Sequence, residues 1–133
     1  MEIINKTFTS IERLVITEGG ENYELLDSLI FRNQNSGEIF QMITNQKEFK
    51  TIRIEENYLL DGEYNPEKIE EKEIISEQFT IINIQFIEDE TNSYIIAFVI
   101  QTESGKHHFI RLVDEINYVA EIEFKETLSS IGL

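Results

Sequence analysis

The 133-residue chain has no cysteine, no tryptophan and a single proline, Pro66. Without thiols, disulfide bracing and thiolate chemistry are excluded. Bracing is not needed at this length, because a domain of this size buries roughly 65–70% of the surface that its unfolded chain exposes. Basic residues are also scarce, 11 Lys and Arg against 26 Asp and Glu, for a net charge of −15. Nucleic-acid binding depends on clustered cations that release counterions from phosphates, so this balance speaks against direct contact with DNA or RNA and against an anionic membrane. The start, MEIINKTF, has neither a basic region nor a continuous apolar one, and no later run approaches the ~18–20 apolar residues of a membrane span. The expectation is a soluble protein retained in the cytoplasm.

The chain is rich in isoleucine, with 23 residues beside nine Phe and five Tyr, while Gly and Ala are few. β-Branched and aromatic side chains suit a pleated, half-buried surface and lose rotamer freedom in helices. From Phe79 onward, apolar runs alternate with turn signals: Phe79 to Glu88, Ser93 to Thr102 and His107 to Val113, separated by Asp89-Glu90-Thr91-Asn92 and Glu103-Ser104-Gly105-Lys106. This pattern predicts an antiparallel meander, with Tyr94 to Ile100 apolar at both parities and therefore central. Tyr118 to Phe124 alternates cleanly and predicts a fourth, half-solvated strand. The first half predicts a shorter sheet from Ile11 to Thr17, Leu29 to Asn33, Glu38 to Ile43 and Thr51 to Glu55, broken at Gly19-Gly20. Tyr23 to Leu29 fits a helical turn or a strand. A single mainly β domain over residues 1–133 follows, curled into a half-barrel or a two-layer sandwich.

One helix is expected near 65–76. Asn65 can cap it, Pro66 suits its first position, and Glu67, Glu70 and Glu71 place negative charge at the positive end of its dipole. Ile69, Ile74 and Ile75 give it only a narrow apolar stripe, so most of it would be solvated.

That helix lies within the most charged part of the chain. Residues 55–90 hold twelve carboxylates and two lysines, Lys68 and Lys72. Such a field attracts a basic surface. Glu55, Glu56, Asp61, Glu63, Glu67, Glu70, Glu71 and Glu73 are the candidate contact residues, with Tyr58 and Tyr64 as aromatic anchors. Lys47, Lys50 and Arg53, just upstream, are positioned in sequence to pair with the acidic stretch.

No catalytic, metal or cofactor motif emerges. His107 and His108 are the only histidines, and adjacent strand residues point to opposite faces, so the two cannot share one ion. Their place beside a turn predicts exposed strand-end residues. Asp27, Asp61, Asp89 and Asp114 lack the spacing of a calcium loop or a carboxylate pair. Ser104 lies near His107 but within one tight turn, without the surroundings of an activated nucleophile.

In overall character, small, acidic and β-rich, the chain resembles the acidic immunity proteins that accompany bacterial toxins and the small phage-encoded inhibitors of host defence. The likeness spans the whole chain and rests on no shared motif. It implies a non-catalytic protein without cofactors, a monomer or homodimer, that inhibits a basic partner such as a nuclease-type toxin or another nucleic-acid-handling enzyme. The alternatives are a phage protein that sequesters a defence effector or its ligand, and a structural homo-oligomeric subunit.

Overall fold

The computed structural model describes residues 2–44, 48–55, 57–60, 66–89, 93–113 and 126. Among them run nine strands: β1 (Thr7–Phe8), β2 (Ser10–Glu18), β3 (Glu21–Arg32), β4 (Ile39–Thr44), β5 (Phe49–Ile54), β6 (Ile69–Ile75), β7 (Phe79–Glu88), β8 (Ile95–Thr102) and β9 (His107–Arg111). They form two antiparallel sheets, in the orders β1-β7-β8-β9 and β5-β4-β3-β2-β6. β1 leads through Thr9 directly into β2, so one stretch of chain passes from the first sheet to the second. The result is a mainly β, curled half-barrel arrangement with a second sheet packed against it.

The meander of the second half follows its hydrophobic pattern. β8 sits between β7 and β9, and its alternating sets are covered on both sides, Phe98 and Ile100 in the main core and Ala97 and Val99 in a smaller cluster with Ile87. The fourth strand expected at Tyr118 to Phe124 falls outside the described residues.

The first-half sheet is larger than the sequence pattern implies, with five strands in place of a shorter sheet. Tyr23 to Leu29 is strand, the middle of β3. Gly19 and Gly20, at φ 60° and 82°, form the two-residue turn between Glu18 and Glu21. Both φ values are positive, as the turn type that matches strand twist requires, and glycine adopts them without steric cost. Opposite the step from Arg13 to Leu14, the register jumps from Leu29 to Leu25, so Leu26, Asp27 and Ser28 have no partner in β2. This irregularity frees a carbonyl, and its role appears below.

The helix expected near 65–76 is corrected. Pro66–Lys68 makes one 3-10 turn, and the chain then extends as β6. Three isoleucines are too few to cover a helical face, but they suit a strand at its ends. Ile69 lies opposite Ile16 and Ile75 opposite Ile11, with the charged residues between them.

Between the sheets lies one apolar core containing Ile11, Leu29, Phe31, Phe40 and Met42 from one side and Phe79, Ile81, Phe98, Ile100 and Ile110 from the other. Phe8 sits at the corner where the chain changes sheet. Its ring meets Phe31 at 5.4 Å, Phe40 at 6.0 Å edge-on and Phe79 at 6.1 Å. A second aromatic group ties β5 to β7 and β8, with Phe49 4.7 Å from Phe86 and 5.4 Å from Phe98. Edge-to-face pairs of this kind add about 0.5–1.5 kcal/mol beyond burial. Replacing Phe8 with Ala is therefore expected to cost about 3–5 kcal/mol in urea denaturation. Ile82→Ala, at a side chain 49% exposed, is expected to stay within about 0.5 kcal/mol.

Candidate functional site

β6 is the edge of the five-stranded sheet among the described residues, and its pleat divides its charges between two faces. Glu71 and Glu73 pair with Leu14 and Glu12 and share the outer face with them, whereas Glu70 and Lys72 pair with Val15 and Arg13 on the side turned toward the other sheet. The glutamates read as one surface are thus split.

On the outer face, Arg32 of β3 is held by two carboxylates. Its Nε donates to Glu12 Oε2 at 2.8 Å, and its Nη2 donates to Glu71 Oε1 and, at 3.3 Å, to the Tyr58 hydroxyl. Glu12 is only 7% exposed. Burial and a hydrogen bond shared with Glu12 hold the Glu71 carboxyl above its usual range, against the pull of Arg32. Arg32 thereby brings Tyr58 and the exposed Glu71 together. The Tyr58 segment is fastened beside it by the buried Gln41, whose Nε2 donates to the Leu59 carbonyl and whose Oε1 accepts from the Leu59 amide, each at 2.7 Å. Glu55, Glu67, Glu70, Glu71 and Glu73 are exposed. Glu56, Asp61, Glu63 and Tyr64 lie outside the described residues, as does Lys47. Arg53 lies 3.9 Å from Glu38, just before β4, and among the described residues it forms no ion pair with the acidic stretch.

The side of β6 that faces the other sheet is different in kind. Arg13 shares the inward parity of Ile11, and its guanidinium enters the space between the sheets, 5% exposed. Its Nη1 donates at 3.2 Å to the carbonyl of Leu26, the one freed by the irregularity in β3, and its Nη2 donates at 3.1 Å to the carbonyl of Arg111 on β9. One side chain thus ties the two sheets by satisfying a carbonyl on each. Desolvation draws its pKa below the ordinary value while Glu24 opposes, though a guanidinium stays charged regardless. Glu24 accepts a hydrogen bond from Lys72 and lies 4.0 Å from Arg13 Nε. The bond from Lys72, together with the charges of Lys72, Arg13 and Arg111, holds the Glu24 carboxyl below its usual range.

These groups open onto a cleft of about 440 Å³ between β6 and β9, lined by Arg13, Lys72, Ile74, His107, His108 and Arg111 among others. The histidines are not the exposed strand-end residues that their position suggested, since both are half-buried. The His108 ring packs 5.5 Å from Phe79, edge to face, and lies 3.6 Å from Glu77. Both ring nitrogens of His107 are buried and have no hydrogen-bond partner among the described residues, and the same holds for the amide nitrogen of Gln101 opposite it. An unsatisfied buried polar group costs about 1–3 kcal/mol. Ser104 hydrogen-bonds within its own turn, to Thr102 at 3.1 Å, so it does not engage His107.

Sequence spacing could not reveal this cleft, because Arg13, Lys72 and Arg111 are brought together only by the packing of distant strands. One signal was legible, a lone arginine on the inward parity of the apolar stretch Ile11 to Ile16. Among the described residues there is no group of three or more His, Asp or Glu placed to hold a metal, and no helix long and apolar enough to cross a membrane.

Burial lowers the His108 pKa below its ordinary 6.5, with Lys106 and His107 adding to the shift and Glu77 opposing it. The unfolded chain takes up this proton near pH 6.5, whereas the fold resists it until lower pH. The His108 contribution is therefore complete above that pH and is lost as pH falls toward the folded-state value. Urea denaturation between pH 7.5 and 5 is expected to show stability declining on acidification, and His108→Gln is expected to flatten that decline. Comparison with family models, with curated proteins and with solved structures gives no match.

Proposed function

We propose that this chain is a non-catalytic binding protein that inhibits a basic protein partner, in the manner of an immunity protein against a nuclease-type toxin. The observation that supports it is the exposure of Glu67 in the turn and of Glu70 and Glu73 on the two faces of the edge strand β6, in a chain of net charge −15. The positive charge within β6 does not offset them, because Lys72 is engaged by Glu24. Arg32, nearby, is engaged by Glu12 and Glu71. An edge strand carrying charge also resists pairing with its own copies, which suits a protein that must stay available to a different partner.

In this mechanism the acidic field speeds encounter and local contacts set the lifetime of the complex. Complementary charge raises association rates by about 10–10³-fold at low ionic strength. Tyr58, held against Arg32, would supply a rigid aromatic contact beside the charged edge. Direct nucleic-acid binding and a bound cofactor play no part in this reading.

The test is capture from native host lysate at low and at moderate salt, with the eluted proteins identified by mass spectrometry. A stoichiometric basic protein, released by salt and lost when Glu67, Glu70 and Glu73 are changed to Lys together, is the expected result. A partner retained equally by that triple variant would overturn the acidic-edge reading.

A further inference from the structure

β6 pairs with β2 along one side only, and on its other side no strand or loop bonds to the backbone of Ile69–Ile75 among the described residues. Its two faces differ in charge. Glu12, Glu71 and Glu73 share the outer face with one cation, Arg32, an excess of two negative charges. On the side turned toward the other sheet, Glu70 and Glu24 balance Lys72 and Arg13. We infer that β6 takes an extended segment of the basic partner as a sixth strand of its sheet, one that alternates basic with uncharged side chains. The inference rests on the acidic-edge reading and adds to it how the partner is held.

Exposure along the strand favours an added strand over a body docked flat. Glu70, Glu71, Lys72 and Glu73 are consecutive exposed side chains, so both faces of β6 meet solvent. A surface laid on one face reaches only half of them, whereas a neighbouring strand runs beside all of them. Its backbone donors and acceptors pair with those that every second residue of β6 points away from β2. Side chains directly opposite in such a pair lie about 4.5–5.5 Å apart. Cations opposite Glu71 and Glu73 therefore meet the outer excess of negative charge. The residues between them, opposite Glu70 and Lys72, meet a face whose charges cancel and which ends at the half-buried Ile74. Alternation of basic and uncharged residues is thus the recognition pattern. A second β6 does not supply it, because its own outer face carries Glu71 and Glu73 and brings carboxylate against carboxylate.

The probe is a synthetic peptide, acetyl-Thr-Lys-Val-Lys-Val-Lys-Thr amide, titrated into the full chain at fixed pH and ionic strength while backbone amide resonances and their exchange are followed by NMR. The expected result is saturable binding, with exchange slowed at every second amide of Ile69–Ile75. The same peptide methylated at each backbone nitrogen of its central Val-Lys-Val keeps its charges and is expected to bind about tenfold more weakly, the scale of two lost backbone hydrogen bonds. Glu73→Lys, which turns a cross-strand attraction into a repulsion, is expected to weaken binding by about five- to tenfold. Glu88→Lys makes the same change in net charge at an exposed residue that ends β7 in the other sheet. It is expected to change the affinity by less than about twofold, because distant charges are screened. Absence of saturable binding, equal binding of the methylated peptide, or equal loss in the two variants would overturn strand addition. None of these outcomes touches the lysate capture, in which the acidic-edge reading fails when its triple variant retains the partner.

Discussion

The packing of Phe8 against Phe31, Phe40 and Phe79 is the contact on which the rest of the structure depends. The chain changes sheets at this residue, and the three partner rings come from both sheets. With that corner closed, β2 continues beneath the other sheet and carries Arg13 inward, to the point where a guanidinium can reach the carbonyls of Leu26 and Arg111. Apolar burial and dispersion supply most of the attraction between the sheets. The arginine satisfies carbonyls where the apolar core gives way to a polar cleft.

The charge distribution follows from this geometry. A strand separates neighbouring side chains onto opposite faces, so β6 displays Glu71 and Glu73 on one side and Glu70 and Lys72 on the other. On the outer face, Arg32 is engaged by Glu12 and Glu71. On the inner side, Lys72 and Arg13 are engaged by Glu24. The same short strand therefore carries exposed glutamates on both faces and, on its inner side, a lysine held by Glu24 beside Arg13. The contrast is one of placement rather than of composition, and net charge alone does not describe it.

The meander from Phe79 to Arg111 was legible because β-branched runs, parity and turn residues all agreed there, and β8 lies at its centre as its two apolar faces required. The stretch after Pro66 was misread because local cues were all that the sequence offered. Pro66 and the early glutamates do suit the start of a helix, and a 3-10 turn does begin there. The apolar partners that draw Ile69 and Ile75 into a strand, Ile16 and Ile11, lie more than fifty residues away. Exposed glutamates were legible from composition, whereas the pairing of Tyr58 and Glu71 through Arg32 was not, since no local pattern connects the three. The cleft was hidden for the same reason, since its cations come from β2, β6 and β9.

Hydrogen–deuterium exchange of the chain, alone and bound to the basic protein captured from the host, tests the central claim most directly, that the acidic edge is the contact surface. The account predicts slowed exchange of backbone amides across residues 66–75, with those of β4 and β5 unchanged. Exchange in residues 66–75 that is equally fast with and without the partner, with protection elsewhere, would contradict it.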